Sequence, residues 1–298
     1  MTTANLVNPF WGKPKFTYWR FTPIVSSSSP LIDFETAELV LASSPGGANL
    51  LASAVSVTAP GEPFPGKFYD GSAATACVDF ANANKIPSNT AYVQAQFSAP
   101  VNVAEVRITS ASGSPDYTPS LWALAGSADG ASWTGFGVYS SGSYTANETK
   151  TFTIGVPLEN GGRAGSRVWL FYNSSPSAVR LRVRELVYAT SAGGVQLATG
   201  GTAFARKTGT GAASNAFDGN LISAEWSTTS DSRDAVLGYR FTTAPSPTHY
   251  RVTGASADYP SAWGIYYLSN CADWVLADSR SGETGWTASE TRTYTMAA

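Results

Sequence analysis

Histidine is almost missing from this sequence, and His249 is the single one in 298 residues. That excludes His-based metal clusters and leaves a Ser-His-Asp triad without a well-placed base, because His249 sits in a strand-like run beside Tyr250. Cysteine is scarce as well. Cys77 and Cys271 fall at unrelated points of the chain, so no disulfide framework is expected and both read as free thiols. Gly-x-Ser-x-Gly, His-Glu-x-x-His and P-loop patterns are absent, and Gly209-Thr210-Gly211 runs into Asn215-Ala216-Phe217 rather than opening a helix. Two carboxylates suffice for a glycosidase, but no pair is singled out, and a non-catalytic protein is expected. Charged residues make up only 13%, against about a quarter in ordinary domains, and the net charge is −2. An acidic, charge-poor chain makes a poor partner for a phosphate backbone, so no nucleic acid is expected. No apolar run is long enough to cross a bilayer as a helix, so no membrane insertion is expected. Met1 to Lys15 also lack the charged segment and apolar core of a secretory signal.

What is present points to β structure. There are 28 glycines and 17 prolines, and aromatic residues reach 12%. Ala91, Val93, Ala95 and Phe97 alternate with Tyr92, Gln94 and Gln96. Ala235, Leu237, Tyr239 and Phe241 alternate likewise, as do Val179, Leu181 and Val183 with Arg180, Arg182 and Arg184. Period two with one apolar face marks half-buried antiparallel strands. Turn signals such as Ser44-Pro45-Gly46-Gly47, Asp129-Gly130 and Ser281-Gly282 separate the runs, which favours a sandwich or jelly roll.

The chain repeats itself. Tyr18-Trp19-Arg20-Phe21 is answered by Val168-Trp169-Leu170-Phe171, and Ala37-Glu38-Leu39-Val40 by Arg184-Glu185-Leu186-Val187. Tyr69-Asp70-Gly71 is answered by Phe217-Asp218-Gly219, and Val106-Arg107-Ile108 by Tyr250-Arg251-Val252. Asp116-Tyr117 with Pro119-Ser120-Leu121-Trp122 matches Asp258-Tyr259 with Pro260-Ser261-Ala262-Trp263. Trp133 then matches Trp274, and Glu148-Thr149-Lys150-Thr151-Phe152 matches Glu290-Thr291-Arg292-Thr293-Tyr294. The offset stays between 141 and 150 throughout, a regularity that chance does not give. The expected organisation is an N-terminal extension over 1–15, one domain over 16–156, a Gly-rich linker over 157–166 and a second domain over 167–298. Trp19, Trp122, Trp169 and Trp263 lie in apolar strand patterns and are expected in the core.

Two carboxylates per copy stand out. Glu185 falls in phase with Val179, Leu181 and Val183, and Glu38 in phase with Ile32 and Phe34, so both are expected on the apolar face. A carboxylate so placed needs a partner or a metal. Each copy also has an Asp-Gly turn, at Asp70 and Asp218, offering the oxygen-rich surroundings that calcium prefers; the alternative is that the Asp caps its turn and the Glu sits past a bulge, pointing to solvent.

The order Trp-Arg-Phe, Glu-Leu, Gly-Gly, Phe-Asp-Gly, Pro-Ser-x-Trp and a late Trp resembles the discoidin, or coagulation-factor type C, family. The resemblance covers both copies and implies an all-β chain of two tandem antiparallel β-sandwich domains, each a galactose-binding-like jelly roll. Asn215-Ala216-Phe217-Asp218-Gly219-Asn220 followed by Trp226 is similar to the family's calcium segment. It implies a structural Ca²⁺ held by Asp218, Asn220 and Glu185, with Asp70 and Glu38 as the counterparts. The first copy departs from the pattern, since Ser72 replaces the Asn and Cys77-Val78 occupies the region of Trp226. Each copy also begins with the strand that closes the usual domain. The tandem arrangement looks most like versions in bacteriophage tails and other virion proteins. It implies a virion location, many copies per particle and host-surface glycan as ligand, with a purely structural decoration or cement role as the alternative. Loop candidates for the glycan are Phe64, Asp116 with Tyr117, and Asp258 with Tyr259. The extension, with Asn8-Pro9-Phe10-Trp11-Gly12, is expected to pack on the first copy or to dock on other virion proteins.

Overall fold

In a computed structural model of the chain, residues 13–296 are described, apart from 27–33, 61, 78–86, 88–90, 159–161, 176–179, 207, 223–224, 230–231 and 256–257. The chain is all-β, and its strands pair antiparallel in four sheets. The first half contributes β1 (Phe16–Ser26), β2 (Glu38–Ala42), β3 (Ser56–Thr58), β4 (Val93–Val101), β5 (Glu105–Thr109), β6 (Pro119–Ser127), β7 (Trp133–Ser140) and β8 (Thr149–Thr153). The second contributes β9 (Val168–Asn173), β10 (Arg182–Ala189), β11 (Thr202–Arg206), β12 (Thr208–Thr210), β13 (Trp226–Thr228) and β14 (Val236–Arg240). It closes with β15 (His249–Gly254), β16 (Trp263–Ser269), β17 (Asp273–Arg280) and β18 (Thr291–Thr295).

Strand order recurs. Sheet β3-β4-β1-β6-β7 has its counterpart in β11-β14-β9-β16-β17, and β2-β5-β8 in β10-β15-β18, to which β13 and β12 add an edge. Within each half the two sheets enclose an apolar core, five strands against three in the first half and five against five in the second. Trp19 and Phe21 of β1 share one cluster with Leu39 and Leu41 of β2 and with Val106 and Ile108 of β5. Trp169 and Phe171 of β9 share the other with Leu186 and Tyr188 of β10 and with Tyr250 and Val252 of β15. Trp19, Trp122, Trp169 and Trp263 are fully buried, as the strand patterns require.

The halves are not independent in their packing. Val168 and Leu170 of β9 point away from their own core. Together with Phe204, Val236, Leu268 and Trp274 they belong to the cluster of the first half. A sheet buried on both faces explains why Val168-Trp169-Leu170-Phe171 shows no alternation. Arg20, 9% exposed, bridges the junction: its guanidinium pairs with Asp273 at 2.7 Å and donates twice to Gln94. It also lies over the rings of Trp133 at 4.1 Å and Tyr92 at 4.4 Å. At the same junction the turn of Asn270 and Cys271 approaches Gly135 so closely that a Cβ there would sit 2.9 Å from Cys271 Sγ. Cys77 and Cys271 are both buried and unpaired. Beyond Leu158, whose amide bonds the Gly135 carbonyl at 2.7 Å, Arg163 donates to Pro247 O. Residues 1–12 of the N-terminal extension lie outside the described residues, and Lys13 donates to the carbonyl of Ile154.

The placement of the two glutamates needs correcting. The register of β10 against β15 shifts between Val183 and Glu185, a β-bulge at Arg184. The extra residue moves the core-facing phase from Val183 to Leu186 and Tyr188, and turns Glu185 to the opposite face. Glu38 likewise lies opposite Leu39 and Leu41 rather than with Phe34.

Candidate functional site

Two arginines on the wet side of β10 gather three loops at one end of the second half. Arg182 pairs with Glu225 at 2.9 Å and with Asp258 at 3.3 Å, and its amide donates to Asp258 O at 3.0 Å. Arg184 donates to Leu221 O and to Ser289 Oγ, each at 3.0 Å. Leu221, Glu225, and the loops 258–262 and 281–290 are thereby fastened to one strand. Asp258 itself sits at φ 64°, in the left-handed region that an Asp tolerates better than most residues.

Tyr259 is half-buried, and its ring stacks on Trp286 with centroids 5.5 Å apart and planes 11° apart. Trp286 connects inward to buried Trp263 at 6.4 Å and carries the Arg292 guanidinium 4.2 Å from its ring centroid. Arg292 is held in turn by Glu290 at 2.7 Å and Glu283 at 2.9 Å. The stack demands a glycine beneath it: a Cβ at Gly254 would meet two Tyr259 ring carbons at 2.4 Å. The result is a fixed aromatic shelf, rimmed by a carboxylate–guanidinium pair, at a loop end.

Trp286 was not among the residues singled out in the sequence, although a signal exists. Tyr144-Thr145-Ala146-Asn147-Glu148 aligns with Trp286-Thr287-Ala288-Ser289-Glu290, between two matches already identified. The two loops are built alike. Glu148 accepts the amide of Thr145 at 2.8 Å and Glu290 that of Thr287 at 2.7 Å, while Asn147 and Ser289 both have positive φ. Lys150 lies over Tyr144 as Arg292 lies over Trp286. The first half nevertheless makes no shelf. Tyr144 is buried, and among the described residues no ring stacks on half-buried Tyr117; Asp116 is exposed. Phe64 is 64% exposed with Lys67 beside its ring, and belongs to a separate loop. The Thr36–Cys77 bridge and the Glu35–Tyr117 backbone bond bring that region and residues 114–117 to the same end. No protein family, curated protein or solved structure matches the chain.

The residues expected to hold calcium meet as two small groups. Glu185, 3% exposed, accepts the Gly219 amide with both oxygens, at 3.3 and 3.2 Å, and Gln196 Nε2 at 3.4 Å. Asp218 accepts the Asn220 amide at 2.8 Å, and Asn220 Oδ1 that of Ile222 at 2.9 Å. In the first half Ser72 N donates to both Glu38 and Asp70 at 2.8 Å, and Thr75 Oγ1 donates to Asp70 at 2.6 Å. Burial pushes the Glu185 carboxyl up to about 7, with the Asp218 charge adding to it. Glu38 is also raised to about 7, first by burial and then by the neighbouring Asp70. Among the described residues no three His, Cys, Asp or Glu side chains gather as metal ligands do. Calcium takes six to eight oxygens. Here the carboxylates face amide and hydroxyl donors, and this donor set does not fit the ion.

Proposed function

We propose that this chain is a non-catalytic virion protein, of a bacteriophage tail or baseplate, whose discoidin-like, galactose-binding-like halves contact carbohydrate on the host surface. The stacked pair of Tyr259 and Trp286 carries the reading. A pyranose has one apolar face that packs on an aromatic ring and a rim of hydroxyls that needs donors and acceptors close by. Tyr259 offers the ring, while Asp258 and Arg182 offer an acceptor and a donor 3.3 Å apart. One shallow shelf binds weakly. Many copies on a particle raise the avidity without new contacts.

The test is a glycan array with a whole-cell binding assay on the full chain, beside Tyr259→Ala and Asp258→Asn. Selective binding that both substitutions abolish supports the proposal; binding indifferent to them, or none from folded protein, overturns it. The decoration reading has one observation of its own. Ile222 is 94% exposed next to half-exposed Leu221, an apolar tip suited to a protein partner.

A further inference from the structure

Glu105, at the start of β5, is another buried glutamate that holds a turn distant in sequence. It is 6% exposed and accepts the Gly46 amide with both oxygens, at 3.1 and 3.3 Å. The geometry repeats that of Glu185 on Gly219, and Gly46 and Gly219 share the left-handed backbone, at φ 67° and 71°. The turn under Glu105, Ser44-Pro45-Gly46-Gly47, contains no acidic residue. Arg107 stands in for a metal there, pairing with Glu105 at 3.0 Å and donating to Gly47 O at 2.7 Å.

We infer that Glu38 and Glu185 are clasps of the same kind, which fold the Asp-Gly turns by accepting backbone amides and do so without calcium. Three features carry this. Both oxygens of Glu185 are aimed at one amide, and the positive end of that N–H dipole lies where a cation held by both oxygens would have to sit. The oxygens of Asp70 are taken by an amide and a hydroxyl within its own turn. The same clasp exists at Glu105, where the turn offers no second carboxylate. Gln196, which donates to Glu185 at 3.4 Å, also donates to Leu186 O at 2.7 Å and accepts the Tyr188 amide at 3.0 Å, bracing the clasp on β10. Asn49 does the same for Leu39 and Leu41 beside Glu38.

The experiment uses the full chain, stripped with chelator, with calcium alone as probe. Thermal melting and hydrogen exchange of the 213–222 peptide are compared in 1 mM CaCl₂ and in chelator, for the native chain, Glu185→Gln and Glu185→Ala. The expected result is a melting point unchanged within about 1 °C; a site filled to a hundred times its Kd would raise it by about 5 °C. Exchange in 213–222 is expected to rise about tenfold in Glu185→Ala with or without calcium, the factor for losing a bond of ordinary strength. It is expected to change little in Glu185→Gln, which keeps a carbonyl acceptor. A calcium-dependent rise in melting point or protection overturns the inference, as does unchanged exchange in a folded Glu185→Ala. Should that variant fail to fold, the calcium arms of the native chain and of Glu185→Gln decide.

Discussion

Removing Arg20 should loosen the two halves from each other. In Arg20→Ala the pair with Asp273 is lost; that side chain is 40% exposed, so solvent holds the pair itself to about 1 kcal/mol. The two bonds from a charged donor to Gln94 contribute about 1.5–3 kcal/mol, and the contacts with Trp133 and Tyr92 about 0.5–1 kcal/mol each. These terms overlap, which puts the expected loss at roughly 3–5 kcal/mol. The assay is urea unfolding followed by tryptophan fluorescence and by far-UV circular dichroism. The native chain should unfold in one transition, because Val168, Leu170 and Phe204 of the second half belong to the core cluster of the first. Arg20→Ala should lower the midpoint and split the transition in two. Asp273→Asn alone should cost about 1 kcal/mol, since its carboxylate can hydrate. A native chain that already unfolds in two separate steps would refute the reasoning. So would an Arg20→Ala loss below about 1 kcal/mol.

Three other outcomes are expected. Gly254→Ala places a methyl against the Tyr259 ring, so glycan binding should fall at least about tenfold while stability drops by only about 1–3 kcal/mol, read by titration and melting together. Glu185, raised in the folded state above its ordinary 4.5, contributes stability that is complete below that value and is lost as the pH rises through about 7. The stability of the native chain relative to Glu185→Gln should therefore fall by about 2 kcal/mol between pH 4.5 and 8 in urea titrations; a constant difference would contradict the assignment. Burial pushes the Cys271 thiol up to about 11 and raises that of Cys77 too, so a thiol reagent at pH 8 should label neither in native protein and both in urea.

Much of the fold was legible because duplication and period-two alternation report strands directly. The buried tryptophans followed from the same pattern. Three things were not. The bulge at Arg184 inserts one residue into β10, and nothing local in Arg182-Val183-Arg184-Glu185 decides between it and continuous alternation; the structure has the bulge, yet Glu185 stays buried against its turn rather than facing solvent. The unbroken apolar run at Val168 did carry a signal, since a strand apolar on both sides needs two covers. Arg20, an apparently solvent-phased residue within Tyr18-Trp19-Arg20-Phe21, is buried because the second half covers it. At the candidate site, Tyr259 and Asp258 were named from loop position. Trp286 lies between the repeat matches at Trp274 and Glu290, and its stacking on Tyr259 is a long-range contact that no local pattern encodes.

Isothermal titration of the strongest glycan from the array into the full chain, with Tyr259→Ala beside it, addresses the sugar shelf most directly. The expected result is one site per chain, because among the described residues the second half alone stacks its two loop rings, and no measurable heat from Tyr259→Ala. Two equivalent sites, or an affinity unchanged by the substitution, would contradict the assignment of Tyr259 and Trp286.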